Sequence, residues 1–318
     1  MVTRHARHLP AMASLVVGLL AIACSGGNVP QGQAAREPRV NVVSTSSIIG
    51  DWAKQVGGEG VRVVDLVPPG VDPHTFQPGA RDITNVADAD LVLSVGLNLE
   101  GQWLRETLTN VRADDARRLV LGPLVDPRPA ADEKGGPASA GAVLDPHFWM
   151  DPVRAKVAVS AIADELAEID AGHAEEYRDN ADVYLRKLDE LDSWIGAKLR
   201  DLPPDDRILV TSHDSLGYFA DRYGFRVVGA VIPGVSTERD PSAGEMAMLV
   251  DAIRQYQAKA IFVEASVSDR MARRISDETG VPVVGGLLVG TLGPPGTDVG
   301  TYEGMMRRNV EIIVGALR

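Results

Sequence analysis

The stretch between Pro152 and Pro204 limits what the chain can fold into more than any other. Apolar residues recur at Val157, Ala161, Ile162, Leu166 and Ile169, break at Asp170-Ala171-Gly172, and resume at Tyr177, Ala181, Tyr184, Leu188, Leu191, Ile195 and Leu199. This is the spacing of helices that bury one stripe. The second half, from His173 to about Arg200, predicts a rod roughly 40 Å long at about 1.5 Å per residue. Such a rod crosses a whole small domain, and Leu202-Pro203-Pro204 stops it.

On both sides of the rod, short apolar runs alternate with helical spacing. Before it, Val40–Ser44, Val61–Leu66, Leu91–Val95 and Arg118–Leu121 read as strands, with helices over Ile48–Val56 and Gly101–Val111. After it, Arg207–Thr211, Val227–Ile232, Ala260–Glu264 and Val281–Val284 read as strands, with helices over Ser215–Tyr223, Ser242–Tyr256, a segment ending at Thr279, and Tyr302–Leu317. Strand and helix in alternation imply parallel sheets covered by helices. The expected fold is therefore α/β, with two similar parallel-sheet lobes joined by one long rigid helix. The expected bounds are 39–151 for the first lobe, 152–202 for the helical region and 203–318 for the second lobe. A ligand cleft is expected between the carboxyl ends of the strands. Neither lobe has a glycine-rich phosphate loop after its first strand, which leaves nucleotide binding without support.

The amino-terminal end reads differently. Arg4 and Arg7 precede an apolar run, Leu15–Ala23, too short to anchor in a bilayer, so residues 1–23 are expected to be a secretory signal. Cys24, the only cysteine, follows Leu20-Ala21-Ile22-Ala23, which is similar to a bacterial lipoprotein cleavage box although Ala21 stands where leucine is commonest. A buried structural thiol is the alternative. An acylated Cys24 would tether the protein by lipid to a membrane surface, through a flexible segment over residues 24–38. Loss of the signal removes two of the 32 basic side chains and none of the 44 acidic ones, moving the net charge from −12 to −14. That balance argues against nucleic acid as a partner. An acidic surface suits a protein that meets cations, though plain solubility is the simpler account. A Pro- and Gly-rich loop over Asp126–Ala142 is expected to be mobile.

Histidines carry the chemistry. In Leu144-Asp145-Pro146-His147-Phe148-Trp149-Met150-Asp151-Pro152, Pro146 disfavours helical geometry at Asp145, Asp151 suits an N-cap and Pro152 a first turn. His147 thus sits on a loop entering a helix. His74 lies on another Pro-bounded loop, Val71–Pro78, and His213 lies where the run Leu209-Val210 stops. His5 and His8 fall in the signal, and His173 reads as a solvated helix residue. Taken singly, each of the three is more often a hydrogen-bonded structural residue than a ligand. Their joint placement suggests that they meet on one metal.

The runs Asp72-Pro73-His74-Thr75-Phe76-Gln77-Pro78, Asp145–Trp149, Ser212-His213-Asp214-Ser215-Leu216-Gly217-Tyr218-Phe219 and Thr301–Asn309 resemble the zinc and manganese solute-binding lipoproteins of bacterial ABC importers. The resemblance covers nearly all of the chain after the signal, including Pro233-Gly234-Val235-Ser236. It implies a monomeric receptor, not an enzyme, tethered by lipid on the extracytoplasmic side of the cell membrane or in the periplasm. Such a receptor captures a divalent metal and hands it to a membrane permease and its ATPase. It also implies metal ligation by His74, His147 and His213. One departure stands out: family members supply an aspartate as fourth ligand where this chain has Gly290, in Leu288-Val289-Gly290-Thr291-Leu292-Gly293. Water, Glu264 as fourth ligand or supporting group, or less readily Asp298 would have to take that place. Three neutral imidazoles without thiolate suit Zn(II), with Mn(II), which prefers more oxygen, as the alternative. Raw affinity order also admits Cu(II) and Ni(II). Two other readings stay open: a zinc hydrolase with Asp214 or Glu264 as base, and an adhesin-like surface lipoprotein, which would need an exposed patch from the 5% of residues that are aromatic.

Overall fold

Strand β1 (Val40–Ser44) lies between β2 (Val61–Asp65) and β3 (Leu91–Ser94), and β4 (Arg117–Val120) extends the sheet beyond β3, every pairing parallel. The computed structural model describes residues 38–110, 116–130 and 143–318. The signal segment, Cys24, the tether up to residue 37 and the loop residues 131–142 lie outside them. Central β3 is buried at every position, as expected of a parallel strand covered on both faces. Helix α1 (Ser47–Gly57) starts where the Ser46 side chain accepts the Ile48 amide, and it buries Ile48, Ile49, Trp52, Ala53 and Val56. Helices α2 (Ala80–Ala87) and α3 (Trp103–Asn110) complete this lobe.

Helix α4 (Pro152–Ile169) begins as the proline pattern predicts, with the Asp151 carboxylate accepting the Val153 amide and Pro152 in the first turn. Helix α5 (Ala174–Leu199) has 26 residues, roughly 39 Å. Its buried residues are Tyr177, Ala181, Tyr184, Leu188, Leu191, Ile195 and Leu199, the predicted stripe. The second sheet comprises β5 (Ile208–His213), β6 (Arg226–Ile232), β7 (Ile261–Glu264) and β8 (Val283–Leu287) in the order β6-β5-β7-β8, again parallel. The two sheets therefore share one topology, with the chain reversing direction between the first and third strands. In such sheets ligands sit at that reversal, beyond the carboxyl ends. Helices α6 (Gly217–Tyr223), α7 (Ala243–Tyr256), α8 (Arg270–Thr279) and α9 (Tyr302–Leu317) flank the second sheet.

One hydrophobic core runs through both lobes, joining Trp52 and Ile48 of α1, Ile162 of α4, Leu188 of α5, Phe262 of β7 and Met305 of α9. Residues 37–318 accordingly form one compact unit. Among the described residues no helix is long and apolar enough to cross a membrane.

Most element bounds shift by one or two residues from those expected, and three differences have a visible cause. Strand β5 runs on to His213 instead of ending at Thr211, because Thr211, Ser212 and His213 are buried and find internal partners. Strand β8 runs over 283–287 instead of 281–284, since its pairing starts at Ile261↔Val283. Helix α2 was not expected, and only Val86 of its residues is buried, which leaves almost no apolar stripe to read.

Candidate metal centre

The two Asp-Pro-His segments fold alike. Asp72 Oδ1 accepts the His74 amide at 2.9 Å, and Asp145 Oδ1 accepts the His147 amide at 3.0 Å. Each is an Asx turn, in which an aspartate caps the backbone two residues on. The turn before α4 delivers His147, the loop between β2 and α2 delivers His74, and the last residue of β5 delivers His213. Their relative exposures are 0%, 7% and 1%. One ring nitrogen from each lies within 4.8 Å of the others, and the ring centroids are 4.9 to 5.5 Å apart. Among the described residues this is the one such cluster of metal-ligating side chains.

Carboxylates stand beside two of the three rings. Asp145 Oδ1 lies 2.9 Å from His147 Nδ1, which assigns the proton to Nδ1 and leaves Nε2 as a lone pair directed into the site. Glu264 Oε1 lies 2.6 Å from His213 Nδ1, an ion-pair contact set off the line of an N–H bond. The same oxygen accepts from Ser212 Oγ at 2.7 Å and Ser215 Oγ at 3.2 Å. Burial lowers the pKa of His213, but the adjacent Glu264 carboxylate outweighs it and holds the imidazole above its ordinary value. Burial raises Glu264, and the facing His213 charge more than offsets this, leaving the carboxyl below its usual range. His74 has no such partner: burial first, then His147 and His213, push its pKa well below 6.5, and its Nε2 is buried without a hydrogen-bond partner.

The His147 and His213 Nε2 atoms face each other at 3.1 Å. Two lone pairs at that distance would repel, so either a proton on one of the two nitrogens or a metal ion has to lie between them. The raised pKa of His213 favours its charged form, so a proton competes with a divalent ion that would be ligated by both nitrogens. Second-partner carboxylates of this kind fix ring orientation and raise the basicity of ligating histidines.

The remaining sequence candidates fall elsewhere. Glu264 backs His213 and is not one of the converging groups. Gly290 does sit at the site's edge, with the position of a would-be Cβ 3.0 Å from Pro73 Cδ, beside His74. Asp214 is buried, and burial followed by the neighbouring Asp145 raises its carboxyl. Asp298 is exposed. His173 is not simply solvated: its Nδ1 lies 2.9 Å from Asp170 Oδ1, just ahead of α5. Asp145 escaped the sequence reading as a functional group, although its repeated Asp-Pro-His spacing was a usable signal.

Two like-ordered parallel sheets, a shared helical rod and a buried three-histidine cluster between them define a class. The chain belongs to the family of ZnuA, zinc-uptake complex component A periplasmic, whose model matches residues 42–316. It is similar to the manganese-binding lipoprotein MntA of Bacillus subtilis, with 34% identity over 312 residues, 96% of this chain and 98% of that protein. The iron-binding protein YfeA of Yersinia pestis is 32% identical over 295 residues, 93% of this chain and 91% of its own. The solved periplasmic zinc-binding protein TroA of Treponema pallidum superposes with a TM-score of 0.80 at 32% identity, covering 88% of this chain and 99% of that one.

Proposed function

We propose that the chain is the extracytoplasmic receptor of an ABC importer. It captures a divalent transition metal on His74, His147 and His213 and delivers it to a permease driven by its ATPase. One observation carries this reading: three buried imidazoles converge, with the His74 Nε2 left without a hydrogen-bond partner among the described residues. Relatives named for manganese, zinc and iron binding support metal as the cargo without choosing among them. Zinc is proposed ahead of manganese because the converging set is all nitrogen, which suits Zn(II) better than an ion that prefers oxygen. The protein carries metal and does not turn over a substrate. Residues 1–23 are removed, Cys24 bears the lipid, residues 24–38 are the tether, and lobes over 39–151 and 203–318 flank the helical region 152–202. It acts as a monomer at the outer face of the membrane.

Elemental analysis of protein purified without added metal tests the cargo, with one zinc per chain expected. His74→Ala, His147→Ala and His213→Ala are each expected to weaken zinc in competition with a chromophoric chelator. A histidine whose removal leaves affinity unchanged drops out of the site, and stoichiometric manganese would displace zinc from the reading. Cys24→Ser is expected to move the protein from the membrane to the soluble fraction.

A further inference from the structure

The three histidines are not held alike. The segment around His147 is fastened to the second lobe by buried aromatic groups. The Tyr218 hydroxyl donates to the Asp145 carbonyl at 2.8 Å and accepts the Arg128 amide at 3.0 Å. Trp149 Nε1 donates to the Val289 carbonyl at 2.7 Å, and the Tyr302 hydroxyl donates to the Trp149 carbonyl at 2.6 Å. Arg128 and Arg154 both stack on the Tyr218 ring. His213 belongs to a strand in mid-sheet. The segment carrying His74 crosses to the second lobe through two threonine hydroxyls only, among the described hydrogen bonds. Thr237 Oγ1 donates to Asp72 Oδ2 at 2.5 Å, and Thr291 Oγ1 accepts the Gly70 amide at 2.8 Å. Among the described residues no carboxylate orients the His74 ring, whereas His147 and His213 each have one beside them.

Resting on the receptor reading, we infer that Thr237 and Thr291 are positioning residues for His74. They hold the one ligand that moves when metal enters and leaves. Asp72 links the two functions, since one of its oxygens shapes the His74 turn and the other meets Thr237. The route is set by what lies behind that bond. A cavity of about 200 Å³ is lined by Asp72, Thr237, Ser212, Asp240 and Arg270 among others, so parting Asp72 from Thr237 opens the site onto it. Its two acids outnumber its one arginine, a balance that favours a passing cation. His147 and His213 stay in place as a preformed half-site, and His74 closes it.

Stopped-flow transfer of zinc to excess chromophoric chelator tests this. Thr237→Val and Thr291→Val are each expected to speed release about tenfold, near the upper worth of one net hydrogen bond. Thr237→Ser and Thr291→Ser, which keep the hydroxyl, are expected to release at the wild-type rate. Tyr218→Phe is expected to lower the melting temperature while changing release by less than about twofold, since it loosens a segment that does not move. The visible spectrum of bound Co(II) should be unchanged in the valine variants, showing the same ligand set. Release at the wild-type rate from both valine variants, or an equal acceleration by Tyr218→Phe, would overturn the assignment. Hydrogen exchange on the unaltered protein gives a second reading that needs no variant. Removing zinc should deprotect residues 66–79 and leave 143–151 protected, and equal deprotection of both segments would also overturn it. A wild type that holds no metal defeats the receptor reading itself, whereas metal bound with unchanged rates defeats only the assignment of His74.

Discussion

Gly290 makes the site testable one residue at a time. Its backbone is not in the left-handed region, so the obstacle to a side chain is Pro73, whose Cδ and Cγ would lie 3.0 and 3.3 Å from an added Cβ. Gly290→Asp is expected to tighten zinc by about tenfold, through an anionic oxygen added to three nitrogens, and to lower the metal-free melting temperature slightly as the His74 turn yields. Unchanged affinity together with unchanged melting would mean that the site is already four-coordinate. Glu264→Gln is expected to weaken zinc by about 10- to 100-fold, the usual effect of losing a partner behind a ligating histidine. The pH response follows from the shifted groups. His213 has a raised folded pKa, so its share of metal-free stability is whole below its ordinary 6.5 and is lost as pH rises through the folded value. Glu264 has a lowered one, so its share is present above 4.5 and is lost as pH falls through the folded value. His74 works against acid stability, because its buried ring resists a proton that the unfolded chain accepts below 6.5. Above about pH 7, where the His74 cost has gone, the metal-free melting temperature should therefore fall while zinc affinity rises, since metal competes with a proton on His213. Parallel trends would sink this account, and His213→Gln should flatten the melting profile. The three histidines were legible because proline and strand-end patterns mark loops that hold ligands. Glu264 was legible only as a possibility and Asp72 not at all, since whether a carboxylate backs a ring, caps a turn or ligates a metal is decided by a few ångströms of tertiary packing.

Helix α5 shows what a regular pattern conveys and what it hides. Its stripe from Tyr177 to Leu199 was readable because a long helix buried along one side repeats its apolar spacing many times. Helix α2 has one buried residue, Val86, and its start rests on Gly79, whose amide bonds the Asp82 carboxylate. Neither is a strong sequence signal. Within α5, Gly196 is exposed, and an added Cβ would meet nothing within 4 Å. Gly196→Ala should stabilise the protein by about 0.5–1 kcal/mol, because glycine in a helix interior loses more backbone freedom on folding than alanine does. Thermal melting checks this, and a destabilised variant would defeat the account. Asp151→Ala should cost about 1 kcal/mol, since it removes the cap of α4.

Each lobe has a small cluster of its own, but both draw on one larger shared core, so they should melt together. The metal-free protein is expected to give a single calorimetric transition whose calorimetric and van't Hoff enthalpies agree. Two resolved transitions would show that the sheets unfold independently. Bound metal should shift that transition upward as its free concentration rises above the dissociation constant. The last helix, α9, carries the sharing furthest. The Tyr302 amide is held by Asp51 Oδ2 at 2.9 Å, its hydroxyl donates to Trp149, and its ring packs edge-on against Trp52. These three partners belong to α1 and to the turn that enters α4. A growing chain therefore cannot seal Trp52 when that residue emerges from the ribosome, because Tyr302, which packs against it, is made only after the whole second sheet. A nascent chain stalled before Tyr302 should therefore be cut by protease around α1 more readily than the full chain.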